Sequence, residues 1–263
     1  MKPATTVTKV CRILGEFKHR PSLGVTDLAR RLGLLPSDVH RILASLQIYG
    51  YIEQNPETKR YQLGTGLLRL GLTTFQRDVL QEKGRGILVR LAGLLNATTH
   101  LAMLDVGECD VFLVDQVESS EVALFKARPG TTTAAHSTAL GKAILAGMDP
   151  QTFERALERT GLRRSTGKTI TNLPALQKEL QLVRTRGFAI DWEESAEGAC
   201  CIGFPLRNGL GTVIGAIGAS MEAQRFQALN LNRLASQVDA AAAQLSYELG
   251  YDPGLSRERR RTG

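Results

Sequence analysis

Apolar residues Val7, Val10, Cys11, Leu14 and Phe17 recur at the spacing of one helical face, and Pro21-Ser22-Leu23-Gly24 then breaks the pattern. A second short helix is expected over residues 27–32, with Thr26 as its N-cap, Leu28, Ala29 and Leu32 buried, and Gly33 as its stop. Pro36 suits the first turn of a third helix, because that position needs no N–H. This helix carries Val39, Ile42, Leu43 and Leu46 on one stripe and leaves Ser37, Arg41 and Ala44 on the opposite face, with Asp38 and His40 flanking. Two helices joined by a tight turn with a glycine form a helix-turn-helix. Residues 51–54, 55–59 and 60–63 then read as strand, turn and strand, which makes a wing.

Helical periodicity returns over residues 66–95 as a linker helix followed by the first helix of a second domain. Short strands are expected at 99–105, 110–117 and 122–127, helices at 137–147, 150–159 and 173–186, strands at 188–192, 200–206 and 212–220, and a closing helix at 226–249. Antiparallel-looking strands with interspersed helices define an α+β class. The domain expectation is a winged helix-turn-helix over residues 1–65, a linker helix over 66–77, a larger α+β domain over 78–250 and a tail over 251–263.

The net charge of +7 changes this picture once it is divided. Residues 1–75 hold 11 Lys and Arg against 5 Asp and Glu, residues 76–250 hold 18 against 19, and residues 251–263 hold 4 against 2. A compact basic module joined to a near-neutral one fits binding to a phosphate backbone, whose affinity comes largely from released counterions.

Apolar runs stay short of the roughly 18 positions a membrane span needs, and the N-terminus lacks a signal-peptide core, so a cytoplasmic protein without membrane contact is expected. Cys11, Cys109, Cys200 and Cys201 show no CxxC spacing, and His19, His40, His100 and His136 form no ligand pair. Free thiols, no metal and no cofactor follow. A Ser137 or Cys201 nucleophile with His136 as base lacks a GxSxG elbow, and the position five before Gly141 is His136, which excludes a phosphate-binding loop. An enzyme is therefore not expected; a ligand sensor that does not touch DNA is a third reading.

Three ordered stretches, residues 26–64, HSTALGKAILA at 136–146 and RGFAIDWEESAEGACCIGFPL at 186–206, resemble the IclR family of bacterial regulators. The segment RSTGKTIT at 164–171 also resembles its sugar-acid branch. The resemblance implies a GAF-like effector domain, a homodimer or dimer of dimers, and a repressor of a catabolic operon that binds double-stranded operator DNA and a small organic acid.

In a recognition helix the exposed N-terminal residues meet base edges, while wing residues grip phosphates. Ser37, Asp38, His40 and Arg41 are thus the candidate contacts on the third helix, with Lys59 and Arg60 on the wing. Asp38 departs from the Ser or Thr common at its place in the family; it either accepts from cytosine N4 or stabilises the helix N-terminus, and the second role is preferred. The start of the 137–147 helix offers backbone N–H groups to an anion, with Gly141 lacking a Cβ that would block approach. The resemblance places Ala139, Leu140, Gly141, Asp191, Cys201 and Ser220 at the effector pocket. Gly218 stands where some members have a second serine, which would leave room for a ligand larger than glyoxylate.

Overall fold

The computed structural model describes residues 5–17, 20–67, 70, 79–118 and 128–252, and divides into two compact units that meet between Asp78 and Val79. The expected strand at 122–127 and the tail beyond residue 252 lie outside the described residues, as does most of the expected linker helix.

The N-terminal unit contains α1 (Thr5–Glu16), α2 (Val25–Leu32), α3 (Pro36–Ile48), β1 (Ile52–Gln54) and β2 (Tyr61–Leu63). Its core joins Ile13 from α1 and Phe17 just after it to Leu28, Val39, Leu43 and Ile52. Helix α2 begins earlier than the sequence pattern predicts: Gly24, not Thr26, is the N-cap, and the Gly24 N–H donates to the Asp27 carboxylate at 3.3 Å. An acid at the third helical position reaches back to the N-cap N–H, and that bond sets the helix start two residues ahead of Thr26. Gly33 closes α2 in the left-handed region (φ 63°), which frees the chain to turn directly into α3 with Pro36 in its first turn.

The wing is an antiparallel pair with Ile52 opposite Leu63. Its turn is held by the Asn55 side chain, which accepts from the N–H groups of Glu57 and Thr58, each at 2.9 Å. Leu23 adds a further bridge by exchanging two backbone hydrogen bonds with Tyr61, so the loop after α1 is tied to the wing.

The C-terminal unit runs α4 (Val79–Leu95), β3 (Thr98–Asp105), β4 (Asp110–Val117), β5 (Thr132–Ala134), α5 (Ala139–Ala146), α6 (Pro150–Thr160), α7 (Leu173–Arg186), β6 (Ala189–Trp192), β7 (Ala199–Arg207), β8 (Val213–Glu222), α8 (Ala223–Ala228) and α9 (Leu231–Glu248). The closing helix is two helices: Asn230 caps α9 by accepting the Arg233 N–H at 3.0 Å, a strong start signal inside what reads as one helical pattern.

Six antiparallel strands form one sheet in the order β5-β4-β3-β8-β7-β6. Period-two alternation splits their side chains between two cores. Leu101, Ile202, Phe204 and Ile217 face α4 and α9, whereas Ala102, Ala189 and Ala216 face α5, α6 and α7. The α5 side is lined with small residues because the helix lies close to the strands. A Cβ on Gly203 would stand 2.8 Å from the Ala139 carbonyl carbon. Among the described residues no helix is long and apolar enough to cross a membrane, and no group of three or more His, Cys, Asp or Glu could hold a metal ion.

Candidate functional site

Ser37, His40 and Arg41 are exposed on α3, opposite the buried Val39, Ile42 and Leu43. The pattern that anchors the helix therefore also aims its polar face outward. Asp38 is not held by the helix end alone: it accepts from Lys9 on α1 at 2.6 Å and from Arg41 one turn on at 3.2 Å. The Lys9 ammonium, and more weakly Arg41, keeps its carboxyl below the usual range.

Lys59 sits exposed at the wing turn with φ 55°. Arg60 is already committed, donating to the Ser22 carbonyl at 3.1 Å and to Asp27 at 2.9 Å. A phosphate would have to compete with that carboxylate, a constraint that no local sequence pattern reveals.

In the C-terminal unit, register does what sequence spacing cannot. Asp191 on β6 stands opposite Cys201 on β7, Cys201 opposite Ser220 on β8, and Ser220 opposite Thr98 on β3, all directed at α5. Above this row lies a cavity of about 180 Å³. Thr138, Ala139 and Leu140 from the start of α5 wall it, with Asp191, Cys201 and His100 from the sheet.

Gly141 and Ser220 are near the cavity without lining it. The absent Cβ of Gly141 serves packing, not ligand approach, because the Ala135 carbonyl oxygen occupies that space and the Gly141 N–H donates to Thr138 Oγ1 at 3.0 Å. Gly218 likewise adds no room: a Cβ there would run into the Ile202 carbonyl oxygen and stand 3.0 Å from Leu140 Cδ2. Gly141 lets α5 pack on the Ala135 turn that precedes it, and Gly218 lets β8 close on β7 beneath Leu140 of α5.

His100 was not singled out by sequence reasoning. It pairs with Gly218 in the strand register, and its Nε2 lies 2.7 Å from Ser220 Oγ. Burial drives its pKa down to about 4, so the ring is neutral at physiological pH. The alternation of β3 could have placed it on the Ala102 side, but only pairing with β8 brings it to Ser220.

Asp191 is fully buried; its Oδ1 accepts the Glu194 N–H at 2.6 Å and its Oδ2 the Ser195 hydroxyl at 2.5 Å. These bonds fold the β6–β7 turn against the cavity, while burial raises the carboxyl's pKa. Behind the wall, Lys142 of α5 is buried against Glu194, with Glu179 at 3.7 Å. Burial raises the Glu194 pKa and Lys142 opposes the shift.

Catalytic machinery does not assemble from the nucleophile candidates. The Ser137 hydroxyl donates to the Ala134 carbonyl at 3.0 Å, and His136 Nε2 meets the Arg163 carbonyl at 3.0 Å, so neither addresses the other. Burial pushes the Cys201 thiol well above its ordinary pKa, opposite to an activated nucleophile.

The family model for the C-terminal part of bacterial IclR transcriptional regulators matches residues 73–247, and the model for the IclR helix-turn-helix domain matches residues 6–56. The chain belongs to the IclR family. Among similar IclR-type proteins, the Escherichia coli regulator XynR is 32% identical over 94% of this chain and 97% of its own length. The regulator KdgR of the same organism is 31% identical over 94% and 93%. A solved IclR-type regulator from Silicibacter superposes with a TM-score of 0.84 at 26% identity, covering 94% of this chain and 97% of that one. The chain is thus a DNA-binding transcriptional regulator and not an enzyme, with the IclR helix-turn-helix in its N-terminal unit and the IclR C-terminal domain in its second unit.

Proposed function

We propose that this regulator represses a catabolic operon by holding operator DNA as a homodimer or dimer of dimers, and that a small organic acid in the C-terminal cavity changes its affinity for that DNA. One observation carries the sensing half: the cavity lies where the N-terminus of α5 meets the in-register pair Asp191 and Cys201. The N–H groups of Ala139 and Leu140, first and second in α5, have no partner among the described residues. Helix-end N–H groups attract anions. Ser220 supports the same wall through His100.

In the reading half, Ser37, His40 and Arg41 meet base edges, Arg41 takes guanine, and Lys59 meets phosphate, with Arg60 recruited only if it leaves Asp27. Two relatives support this reading by their names: the Transcriptional repressor IclR of Escherichia coli, 29% identical over 69% of this chain, for repression, and the Glycerol operon regulatory protein of Streptomyces griseus, 35% identical over 91%, for the control of an operon. A solved IclR homologue from Microbacterium hydrocarbonoxydans, 23% identical, is described as complexed with 4-hydroxybenzoate.

The test is fluorescence anisotropy of the full chain on DNA from upstream of its own gene. Binding should be sequence-selective and fall steeply with salt, and a saturating organic acid should shift it. Salt-insensitive binding overturns the DNA half; an operator affinity unmoved by every acid that binds the protein overturns the sensing half.

A further inference from the structure

We propose that the cavity takes a monocarboxylate with a compact apolar body, aliphatic or aromatic, of about six to eight carbons, and not a polyhydroxylated sugar acid. The inference rests on the effector-site reading above and specifies its ligand. It departs from the sugar-acid branch that residues 164–171 resemble.

The argument is an account of which wall groups still have a hydrogen bond to give. Asp191 only accepts: Oδ1 takes the N–H groups of Glu194 and Ser195, and Oδ2 takes the Ser195 hydroxyl, which commits the hydrogen of Ser195 and leaves Oδ2 room for about one ligand hydroxyl. His100 Nε2 is bonded to Ser220, and the Thr131 hydroxyl donates to the Arg128 carbonyl at 2.9 Å. Thr133 is exposed, so its hydroxyl offers a ligand little that water does not. The donors that remain cluster at one end: the N–H groups of Ala139 and Leu140, and the hydroxyl hydrogen of Thr138, whose oxygen already accepts the Gly141 N–H. That set matches one carboxylate.

Elsewhere the wall is carbon. Val111 and Leu113 from β4, Leu140 from α5 and Ala196 from the β6–β7 turn line the remainder. No Lys or Arg lines the cavity among the described residues, and the Asp191 carboxyl is on the same wall. A second carboxylate on the ligand would therefore meet no cation among the described lining residues.

The energetics choose between ligand classes. A hydroxyl buried without a partner weakens binding about five- to a hundredfold, whereas each buried methylene strengthens it about fourfold. A sugar acid brings several hydroxyls to a wall whose donors are engaged and whose Asp191 carboxylate can take about one more of them, so the rest go unpartnered. An apolar body of the same size loses nothing there. At roughly 10–15 Å³ for each water-sized sphere, the cavity of about 180 Å³ has room for about 12 to 18 such spheres, enough for a carboxylate with six to eight carbons.

Thermal melting and titration calorimetry of the full chain would decide, with benzoate, cyclohexanecarboxylate and 4-methylpentanoate set against D-gluconate, D-galacturonate and the dicarboxylate adipate. At least one of the first three should raise the melting midpoint and bind at least about tenfold more tightly than any of the second three. Val111→Phe, which fills the cavity from β4, should abolish that binding. If this variant loses its cooperative melt, Thr133→Tyr on the exposed edge strand β5 blocks the same space with less strain on the core. Tighter binding of gluconate or galacturonate, abolished by the blocking variant, overturns the ligand class and leaves the site reading standing. Binding of any probe that persists in a folded blocking variant overturns the site reading itself. Failure of all three apolar acids to bind at millimolar concentration also overturns the proposal.

Discussion

In the helix-turn-helix unit the ion pairs lie at the surface: the Arg41 side chain is 78% exposed and that of Arg60 44%. The C-terminal unit has surface pairs as well, such as Lys168 with Glu193, but it also holds a pair of a different kind, with Lys142 only 1% exposed beside Glu194 at 8%. Exposed pairs are worth little to folding, because water and salt screen them, so their cations remain exchangeable with phosphates. A buried pair cannot be exchanged. Lys142 lies on the helix whose first residues wall the cavity, and Glu194 lies in the turn that Asp191 organises, so this pair fastens two walls of the cavity together. The same residue types thus stay open to exchange on the surface of α3 and the wing, and serve internal architecture at Lys142 and Glu194.

The sharpest way to break that contrast is Lys142→Met, which removes the cation and leaves the buried Glu194 carboxylate, whose Oε2 already has no partner among the described residues. Breaking one side of a buried pair costs about 3–5 kcal/mol. Urea denaturation followed by tryptophan fluorescence reports on the correct unit, because the single tryptophan, Trp192, packs edge-on against Phe226 there. The midpoint should fall markedly, and the double variant Lys142→Met with Glu194→Leu should recover most of the loss. An unchanged midpoint in the single variant would mean that the pair is not closed off from water.

His100 gives the next largest effect, and it depends on pH. Its folded pKa of about 4 is below the ordinary value of 6.5, so the unfolded chain binds the proton more readily. The stability from keeping the ring neutral is fully present above pH 6.5 and is lost as pH falls towards 4. The whole step is about 3 kcal/mol. Asp191 and Glu194 are shifted in the opposite sense, since their raised pKa values favour the folded state at lower pH. The informative quantity is therefore the difference between the wild type and His100→Gln. The variant should lack the acid-side loss, and identical pH profiles would show that His100 is not buried neutral.

In the N-terminal unit, Arg41→Ala should weaken operator binding by about 1–3 kcal/mol and relax preference at one base pair, without moving the tryptophan-monitored unfolding. Arg60→Ala should cost less, because Arg60 must first leave Asp27 and Ser22. Equal losses measured by anisotropy would indicate that the Asp27 tie gives way readily.

The two units also differ in how far a sequence discloses them. The exposed face of α3 follows from local periodicity, since the positions of Val39, Ile42, Leu43 and Leu46 fix where Ser37, His40 and Arg41 point. Asp191 and Cys201 lie in one hairpin, so their separation along the chain is informative. His100 and Ser220 are 120 positions apart and meet only because β3 pairs with β8, a choice that no local pattern encodes. The glycines mislead because a missing side chain at Gly141 or Gly218 reads as open space in a sequence, whereas backbone fills it, from the turn just before α5 at Gly141 and from the neighbouring strand β7 at Gly218. The start of α2 was misplaced because Thr26 is a good capping residue, and the bond from the Gly24 N–H to Asp27 competes with it.

Asp38→Asn is the smallest perturbation and tests the surface half of the contrast. The carboxylate ties down both Lys9 and Arg41, the first from α1 and the second from the reading face of α3. Because the site is open to water, folding should be almost unaffected. DNA should respond more, since the variant removes a negative charge facing the duplex and releases cations for phosphate or base contact. Operator affinity at low salt should rise several-fold, and the slope of log affinity against log salt should steepen by about one. A drop in affinity would instead mean that Asp38 positions Arg41 for its base, or accepts from cytosine itself. Sequence preference separates these outcomes: loss of a base contact changes discrimination at one base pair, whereas freed phosphate contacts raise affinity for all sequences alike.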